Sequence, residues 1–289
     1  MPPRRPDRDP AGQGSHRAST RPKGRQPPRK PKGRPSGGQF AKRITPESLI
    51  ELPADDPLPR ASDYPSAELA RLYEAAAQLQ TIIPDATLVG GSAAAFYAGH
   101  RESFDHDHVV ADLADHYDMV LEAIESQDGW ITNRVVPRKL ILGEIGNIET
   151  GVRQLIRKVP LEVAQYELPS GRVLQVPTSA ETLRIKGYLI VARNQTRDYL
   201  DVAALSEWMG ADRAAAVLAD IDRYYADQHM DGVGVASQLV RQLADPSPKD
   251  IKTTRHLNQY KRLDRRWHDW GDVRSACADL ARLIVESEG

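Results

Sequence analysis

The chain has 289 residues, with 39 Lys/Arg and 40 Asp/Glu, for a formal charge of −1. That sum joins two unlike parts. Residues 1–43 hold 13 basic and 2 acidic residues (+11), which leaves 26 basic and 38 acidic (−12) in the rest. Cys277 is the only cysteine, which excludes an intrachain disulfide and a Cys-based zinc site. No apolar run approaches the roughly 20 residues needed to span a bilayer. No apolar stretch follows the basic N-terminus, so it does not read as a secretory signal. These features predict a soluble, cytoplasmic protein without membrane partners.

Residues 1–43 contain 9 Pro and 6 Gly, and Phe40 is the only large apolar residue after Met1. Such a segment buries too little surface to offset the entropy of ordering, so it reads as a disordered basic arm. Two uses stay open for it: a phosphate-attracting tail with salt-dependent binding, or a solvated tail.

Beyond the arm, Leu69, Leu72, Ala76 and Leu79 recur at helical spacing and predict a helix over 66–80. Thr87-Leu88-Val89 reads as a short buried strand broken by Gly90-Gly91-Ser92, and 93–98 as an alanine-rich helix. Phe104 to Val110 suits a strand, 115–127 a helix, and 130–136 and 139–142 further strands. The apolar content of 155–165 and 172–176 predicts two more strands. From Thr178 the pattern is helical to the end, interrupted at Asp245-Pro246-Ser247-Pro248. Mixed elements followed by helices predict an α+β (mixed α/β) fold, its mixed sheet flanked by helices, with a helical C-terminal region. The expected divisions are an arm at 1–43, a mixed domain at 44–205 and helices at 206–289.

The chemistry is concentrated in Leu88-Val89-Gly90-Gly91-Ser92, followed after twelve residues by Asp105-His106-Asp107-His108. A strand ending in Gly-Gly-Ser before a helix lets backbone N–H groups approach a phosphate, aided by the helix N-terminus. Asp105 and Asp107 are two apart on a predicted strand, so both carboxylates share one face. Two hard oxygen ligands suit Mg²⁺, which takes other ligands from water and substrate phosphates. A phosphate cradle beside a divalent-metal site suits phosphoryl or nucleotidyl transfer.

Gly91-Ser92, a spacer and Asp-x-Asp resemble the DNA-polymerase-β-like nucleotidyltransferase superfamily. The longer string LVGGSAAAFYAGHRESFDHDH resembles the AbiEii/AbiGii toxin-type nucleotidyltransferases, with His100-Arg101 in the place of that family's His-Arg pair. A second block agrees: Glu181-Thr182-Leu183-Arg184-Ile185-Lys186, then Arg197-Asp198-Tyr199-Leu200-Asp201. The two blocks span about residues 86–205. The resemblance implies a nucleotidyltransferase fold and an active site that includes the second block. It also implies a third carboxylate on a neighbouring strand, for which Glu162, between Leu161 and Val163, is the candidate; an exposed strand residue is the alternative. The residue between the acidic pair is usually apolar in the family, and here it is His106. It should project to the core face, opposite Asp105 and Asp107, as a neutral histidine with one partner.

The resulting assignment gives Asp105 and Asp107 to the metal and Gly90, Gly91 and Ser92 to the nucleotide phosphates. Lys186, Arg193 and Arg197 are to neutralise those phosphates, with Arg193 and Arg197 sharing a helix face. Glu162, Lys186 and Asp198 join the two aspartates as catalytic candidates. Thr196 is the expected N-cap of the helix that carries Asp198. The implied reaction is Mg²⁺-dependent transfer of NMP from an NTP to an acceptor hydroxyl. The resemblance further implies a toxin of a toxin–antitoxin or phage-defence pair, with a cognate antitoxin and with RNA, the tRNA 3′ end, as acceptor. A protein or small-molecule acceptor, and an inactive nucleic-acid-binding module of the same fold, remain alternatives. The segment 249–274 has eight Lys/Arg against four Asp/Glu, interleaved with Tyr260, Trp267 and Trp270. That mixture suits base stacking, although the tryptophans equally suit a packed core.

Overall fold

Ser66 is the N-cap of the first helix. Its side chain accepts a hydrogen bond from Leu69 N (3.1 Å) and caps helix α1, Ala67–Ile82, which buries Leu69, Leu72, Tyr73, Ala76 and Leu79. The computed structural model describes residues 59–60, 66–228, 232–260 and 262–287. The basic arm and Pro65 lie outside the described residues.

After α1 come β1 (Thr87–Val89), α2 (Gly90–Ala98), β2 (Asp105–Val110) and α3 (Leu113–Glu125). Three strands follow: β3 (Trp130–Val136), β4 (Leu140–Ile145) and β5 (Ile148–Gln154). These strands and β1 and β2 form a five-stranded mixed sheet in the order β1-β2-β5-β4-β3. Only the β2–β5 pair is parallel, with Asp105 opposite Glu149 and Asp107 opposite Gly151. A separate antiparallel pair, β6 (Val163–Glu167) and β7 (Val173–Pro177), precedes the helices. These are α4 (Ser179–Arg193), α5 (Thr196–Met209), α6 (Ala211–Ala219), α7 (Ile221–Tyr225), α8 (Val235–Ala244), α9 (Ile251–Thr254) and α10 (Trp270–Ser287). The fold is thus a mixed sheet flanked by helices with a helical C-terminal part.

Among the described residues, two apolar clusters hold it. The larger joins α1, α2, α4–α8 and α10, and includes Leu88, Tyr97, Leu183, Tyr199, Leu239 and Cys277. Burial pushes the Cys277 thiol up to about 12, so it behaves as a small hydrophobe. The smaller lies between α3 and the sheet, around Val110, Leu113, Val120, Ile141 and Val152. Trp267 is buried in the larger cluster and Trp270 meets Tyr199 edge-on at 6.0 Å, so both tryptophans pack rather than forming a stacking surface.

The strand expected over 155–165 forms only at its end, where residues 163–165 open β6; residues 155–162 form no strand. Leu155, Ile156, Val159 and Leu161 imitate a strand pattern, but Arg157 Nε donates to Val159 O (2.9 Å) and its NH2 group to Pro160 O (3.0 Å). Those bonds curl the segment into a loop, and Pro160 lacks the N–H a ladder needs. A further strand, β5, lies just before this loop, after a Gly146-Asn147 turn in which both residues have positive φ (58° and 64°). That geometry matches a two-residue hairpin.

Candidate active site

Alternation along β2 divides its side chains between two environments. His106, His108 and Val110 are buried, while Asp105 is exposed and Asp107 partly so. The two histidines meet edge-on at 5.2 Å, and His106 Nε2 shares a 2.9 Å hydrogen bond with Thr150 Oγ1. Burial lowers His106 to about 4 and His108 well below its usual range, so both rings stay neutral. His106 therefore stands on the core face, away from the carboxylates.

The opposite face of β2 looks into a cavity of about 710 Å³. Its sheet side carries Asp105, Asp107, Glu149, Gly151 and Arg153; its other side is built from α4, the first turn of α5, the 155–161 loop and Tyr225. Gly90 and Gly91 form one end, where β1 turns into α2. Gly90 has φ +76°, a conformation that L side chains resist. A Cβ on Gly91 would run into the Arg101 guanidinium, so this turn lies directly on that group.

Asp107 sits in a hollow made by missing side chains. A Cβ on Gly151 would collide with its Oδ1, and one on Gly90 would lie 3.6 Å from its Oδ2. Burial raises the Asp107 carboxyl above its ordinary value, opposed by Arg153, whose Nε lies 3.4 Å from Oδ1. Asp105 Oδ1 accepts from Ser103 Oγ at 3.0 Å. Asp107 faces this glycine-walled hollow and Asp105 lines the same cavity, and two hard oxygen donors there fit a divalent cation that takes its other ligands from water. Among the described residues, no group of three or more His, Cys, Asp and Glu side chains is arranged to hold a metal ion by itself.

Beneath the glycine turn lies a closed charge cluster. Asp201 accepts from His100 Nε2 (2.9 Å), Arg101 Nε (2.9 Å) and Arg101 NH2 (3.1 Å), and pairs with Lys186 Nζ (2.7 Å). All four residues are at least nine-tenths buried. Burial alone would raise the Asp201 carboxyl, but Arg101, Lys186 and the His100 hydrogen bond outweigh it and hold the group well below its ordinary value. Burial also lowers His100 against the pull of Asp201, which makes it a neutral donor. One carboxylate thus faces two basic side chains, and both Arg101 and Lys186 also line the cavity.

The remaining expected residues divide. Arg193 and Arg197 both line the cavity, but from different helices, the end of α4 and the start of α5, rather than from one face. Asp198 is fully buried and held bidentately by Arg193, through Nε–Oδ2 at 2.7 Å and NH2–Oδ1 at 2.6 Å. It positions Arg193 and is not among the residues that line the cavity. Ser92 is 1% exposed and donates to the Asp105 main-chain carbonyl (2.5 Å), so its hydroxyl ties α2 to β2 and is already engaged. Thr196 does not cap α5; its N and Oγ1 both donate to Asp250 Oδ1, at 2.8 and 2.9 Å.

Glu162 differs most from expectation. It precedes β6, in the separate two-stranded sheet, and its carboxylate accepts from Arg184 (2.7 Å) and the Tyr224 hydroxyl (2.8 Å). Arg184 and the buried Glu181 and Arg157 complete that ion network. The carboxylate opposite Asp105 on the neighbouring strand is Glu149, which lines the cavity. Sequence reading missed Glu149 and Arg153 together with β5. The Gly146-Asn147 hairpin signal was the clue that could have located them.

No family model matches the chain. Over 130 residues it is 43% identical to the mycolic acid-containing lipids exporter MmpL11 of Mycolicibacterium smegmatis, covering 45% of this chain and 13% of that protein. Over a stretch of the same length it is 44% identical to the heme uptake protein MmpL11 of Mycobacterium tuberculosis H37Rv, with the same coverage. The chain therefore matches only a small part of those curated relatives. Among the described residues, no helix is long and apolar enough to cross a membrane. Among solved structures, the chain is similar to MenT4, a nucleotidyltransferase toxin from M. tuberculosis H37Rv. The identity is 17% over 78% of this chain and 86% of that one, with a TM-score of 0.47. It is also similar to an antigenic nucleotidyltransferase-like protein from Paracoccidioides brasiliensis, at 15% identity over 60% and 93%, with a TM-score of 0.38.

Proposed function

We propose that the chain is a nucleotidyltransferase that moves NMP from an NTP to an acceptor hydroxyl. The observation that carries this reading is the pairing, in one cavity, of the Gly90-Gly91 helix-start turn with the Asp105–Asp107 carboxylates. The turn offers backbone N–H groups and the favourable end of α2 to phosphate oxygens. Lys186 and Arg101 add cationic donors, and Arg193 and Arg197 continue them along the far wall. The counter-charges of Lys186, Arg101 and Arg193 lie outside the cavity lining, on Asp201 and Asp198. Support of this kind, bidentate for Arg101 and Arg193, orients the donors before substrate arrives.

Asp105 and Asp107 would hold Mg²⁺, which supplies charge neutralisation on the phosphates and on the leaving pyrophosphate. Glu149, rather than Glu162, is then the neighbouring-strand carboxylate available to accept the acceptor's proton. The acceptor we favour is RNA, at the tRNA 3′ end, with the chain acting as a toxin opposed by a cognate antitoxin. This acceptor and role extend the sequence resemblance.

The test is direct. Full-length protein is incubated with each α-labelled NTP, Mg²⁺ and total RNA. Label should enter small RNA with wild type and not with Asp105→Ala or Asp107→Ala. Transfer that survives both substitutions contradicts the proposed site; labelling of protein in place of RNA redirects the acceptor.

A further inference from the structure

The cavity has a second, uncharged flank. Helix α4 presents Ile185, Lys186, Tyr188, Leu189 and Arg193 to it. At about 100° per residue, Arg193 and Lys186 fall roughly 40° and 60° to one side of Leu189, and Ile185 and Tyr188 about 40° and 100° to the other. One edge of the helix is thus cationic, the middle apolar and the other edge aromatic. A ligand lying across this face meets charge at one end and a ring at the other.

The aromatic end is built rigidly. Tyr188 stacks on Tyr225 with centroids 4.4 Å apart and planes inclined by 10°. Tyr225 is 3% exposed and lies against the Arg157 guanidinium, 4.8 Å from its ring centre, so the lower ring of the pair is fixed. Tyr188 is only partly buried. Its hydroxyl donates to Gln228 Oε1 (3.1 Å), and Gln228 Nε2 donates to Ile156 O (3.2 Å). Gln228 therefore ties the ring to the loop bearing Ile156, a large apolar side chain that is 60% exposed and lines the same cavity. Exposing an isoleucine beside a pinned ring costs free energy unless a flat apolar group covers them.

We propose that Tyr188, backed by Tyr225 and bordered by Ile156, is the nucleobase subsite, stacking the base of an NTP whose phosphates lie at Gly90-Gly91 and Lys186. The proposal rests on the nucleotide reading above and adds to it the residues that hold the base. Every base has a π-face, so the platform discriminates nucleotides from bare polyphosphate more than one base from another.

Isothermal titration of the full-length protein in Mg²⁺ buffer separates the two levels, with ATP, GTP, CTP, UTP and inorganic tripolyphosphate as probes. Wild type should bind at least one NTP roughly 5- to 150-fold more tightly than tripolyphosphate, the range expected for stacking one base. Tyr188→Leu should abolish that preference and leave tripolyphosphate affinity unchanged, whereas Tyr188→Phe should keep most of it. Ile156→Ser alters an exposed position, so it provides a folded variant if Tyr188→Leu does not fold; it should weaken NTP binding severalfold and tripolyphosphate binding not at all. An unchanged preference in Tyr188→Leu and Ile156→Ser, or equal wild-type affinity for all five probes, overturns the subsite but leaves a phosphate site. Binding of none of the five overturns the nucleotide reading itself.

Discussion

Two carboxylate centres lie close together in the chain's chemistry and differ in one respect. Asp201 is closed: His100, Arg101 and Lys186 supply its partners, and solvent does not reach it. The Asp105–Asp107 pair is open: Arg153, 3.4 Å from Asp107, is its one ion-pair partner among the described residues, and Gly90 and Gly151 leave space around Asp107. A carboxylate whose partners are all internal organises the fold, whereas one set in a hollow with spare lone pairs is placed to take a ligand. Both kinds occur in the motif-bearing segments, so matching a motif does not distinguish them.

The largest expected effect is at the closed centre. Asp201→Ala strands two buried cations and should lower stability by about 3–5 kcal/mol, the usual cost of breaking a buried pair from one side. Urea denaturation measures it. A loss below about 1 kcal/mol would mean that water or another anion already reaches Arg101 and Lys186.

Opening the comparison from the other side, Asp107→Asn should remove label transfer by at least about 10²- to 10³-fold while preserving the fold. The pH dependence gives its sign. Burial raises the folded Asp107 carboxyl above its ordinary value of 3.8, so the folded state holds the proton more tightly than the unfolded one. Stability from this group is greatest below the unfolded value and falls as pH rises through the folded one. At neutral pH the ionised carboxylate is therefore a cost, and Asp107→Asn should melt at a higher temperature than wild type without metal. A lower melting temperature would show that the Arg153 contact outweighs burial.

Gly151→Ala sharpens the contrast without changing charge. Its Cβ would push Asp107 Oδ1 out of the hollow, so transfer should fall about tenfold or more and stability by roughly 1–3 kcal/mol. Unimpaired transfer would mean that Asp107 need not occupy this position. The smallest effect is at Ser92→Ala, which loses the bond to the Asp105 carbonyl and should cost about 1 kcal/mol, read in the denaturation midpoint. A selective loss of NTP affinity with unchanged stability would instead return Ser92 to the phosphates.

What could be read from the sequence follows the range of the interactions involved. Period-two alternation was enough to separate Asp105 and Asp107 from His106, and β2 divides them as alternation requires. Helical spacing located α1, and α4 and α5 fall within the helical stretch expected from Thr178; of the residues expected near phosphate, Gly90, Gly91, Lys186, Arg193 and Arg197 line one cavity and Ser92 does not. The failures are non-local. The parallel pairing of β2 with β5 joins segments more than forty residues apart, so even the local Gly146-Asn147 hairpin signal would not have placed Glu149 and Arg153 beside Asp105 and Asp107. Glu162 sat between apolar neighbours as a strand residue would, but its partners Arg184 and Tyr224 come from distant helices. Asp198 and Asp201 occur together in a motif, and only the positions of Arg193, Arg101 and Lys186 show that both are turned inward.

The central claim is that the Asp105–Asp107 hollow is the open, ligand-taking centre. It is tested most directly by Mn²⁺ binding, followed by electron paramagnetic resonance with and without a non-hydrolysable NTP analogue. The account predicts that wild type binds Mn²⁺ more tightly when the analogue is present, and that the folded Asp105→Asn/Asp107→Asn variant does so in neither condition. Equal Mn²⁺ binding by wild type and the double variant would contradict it.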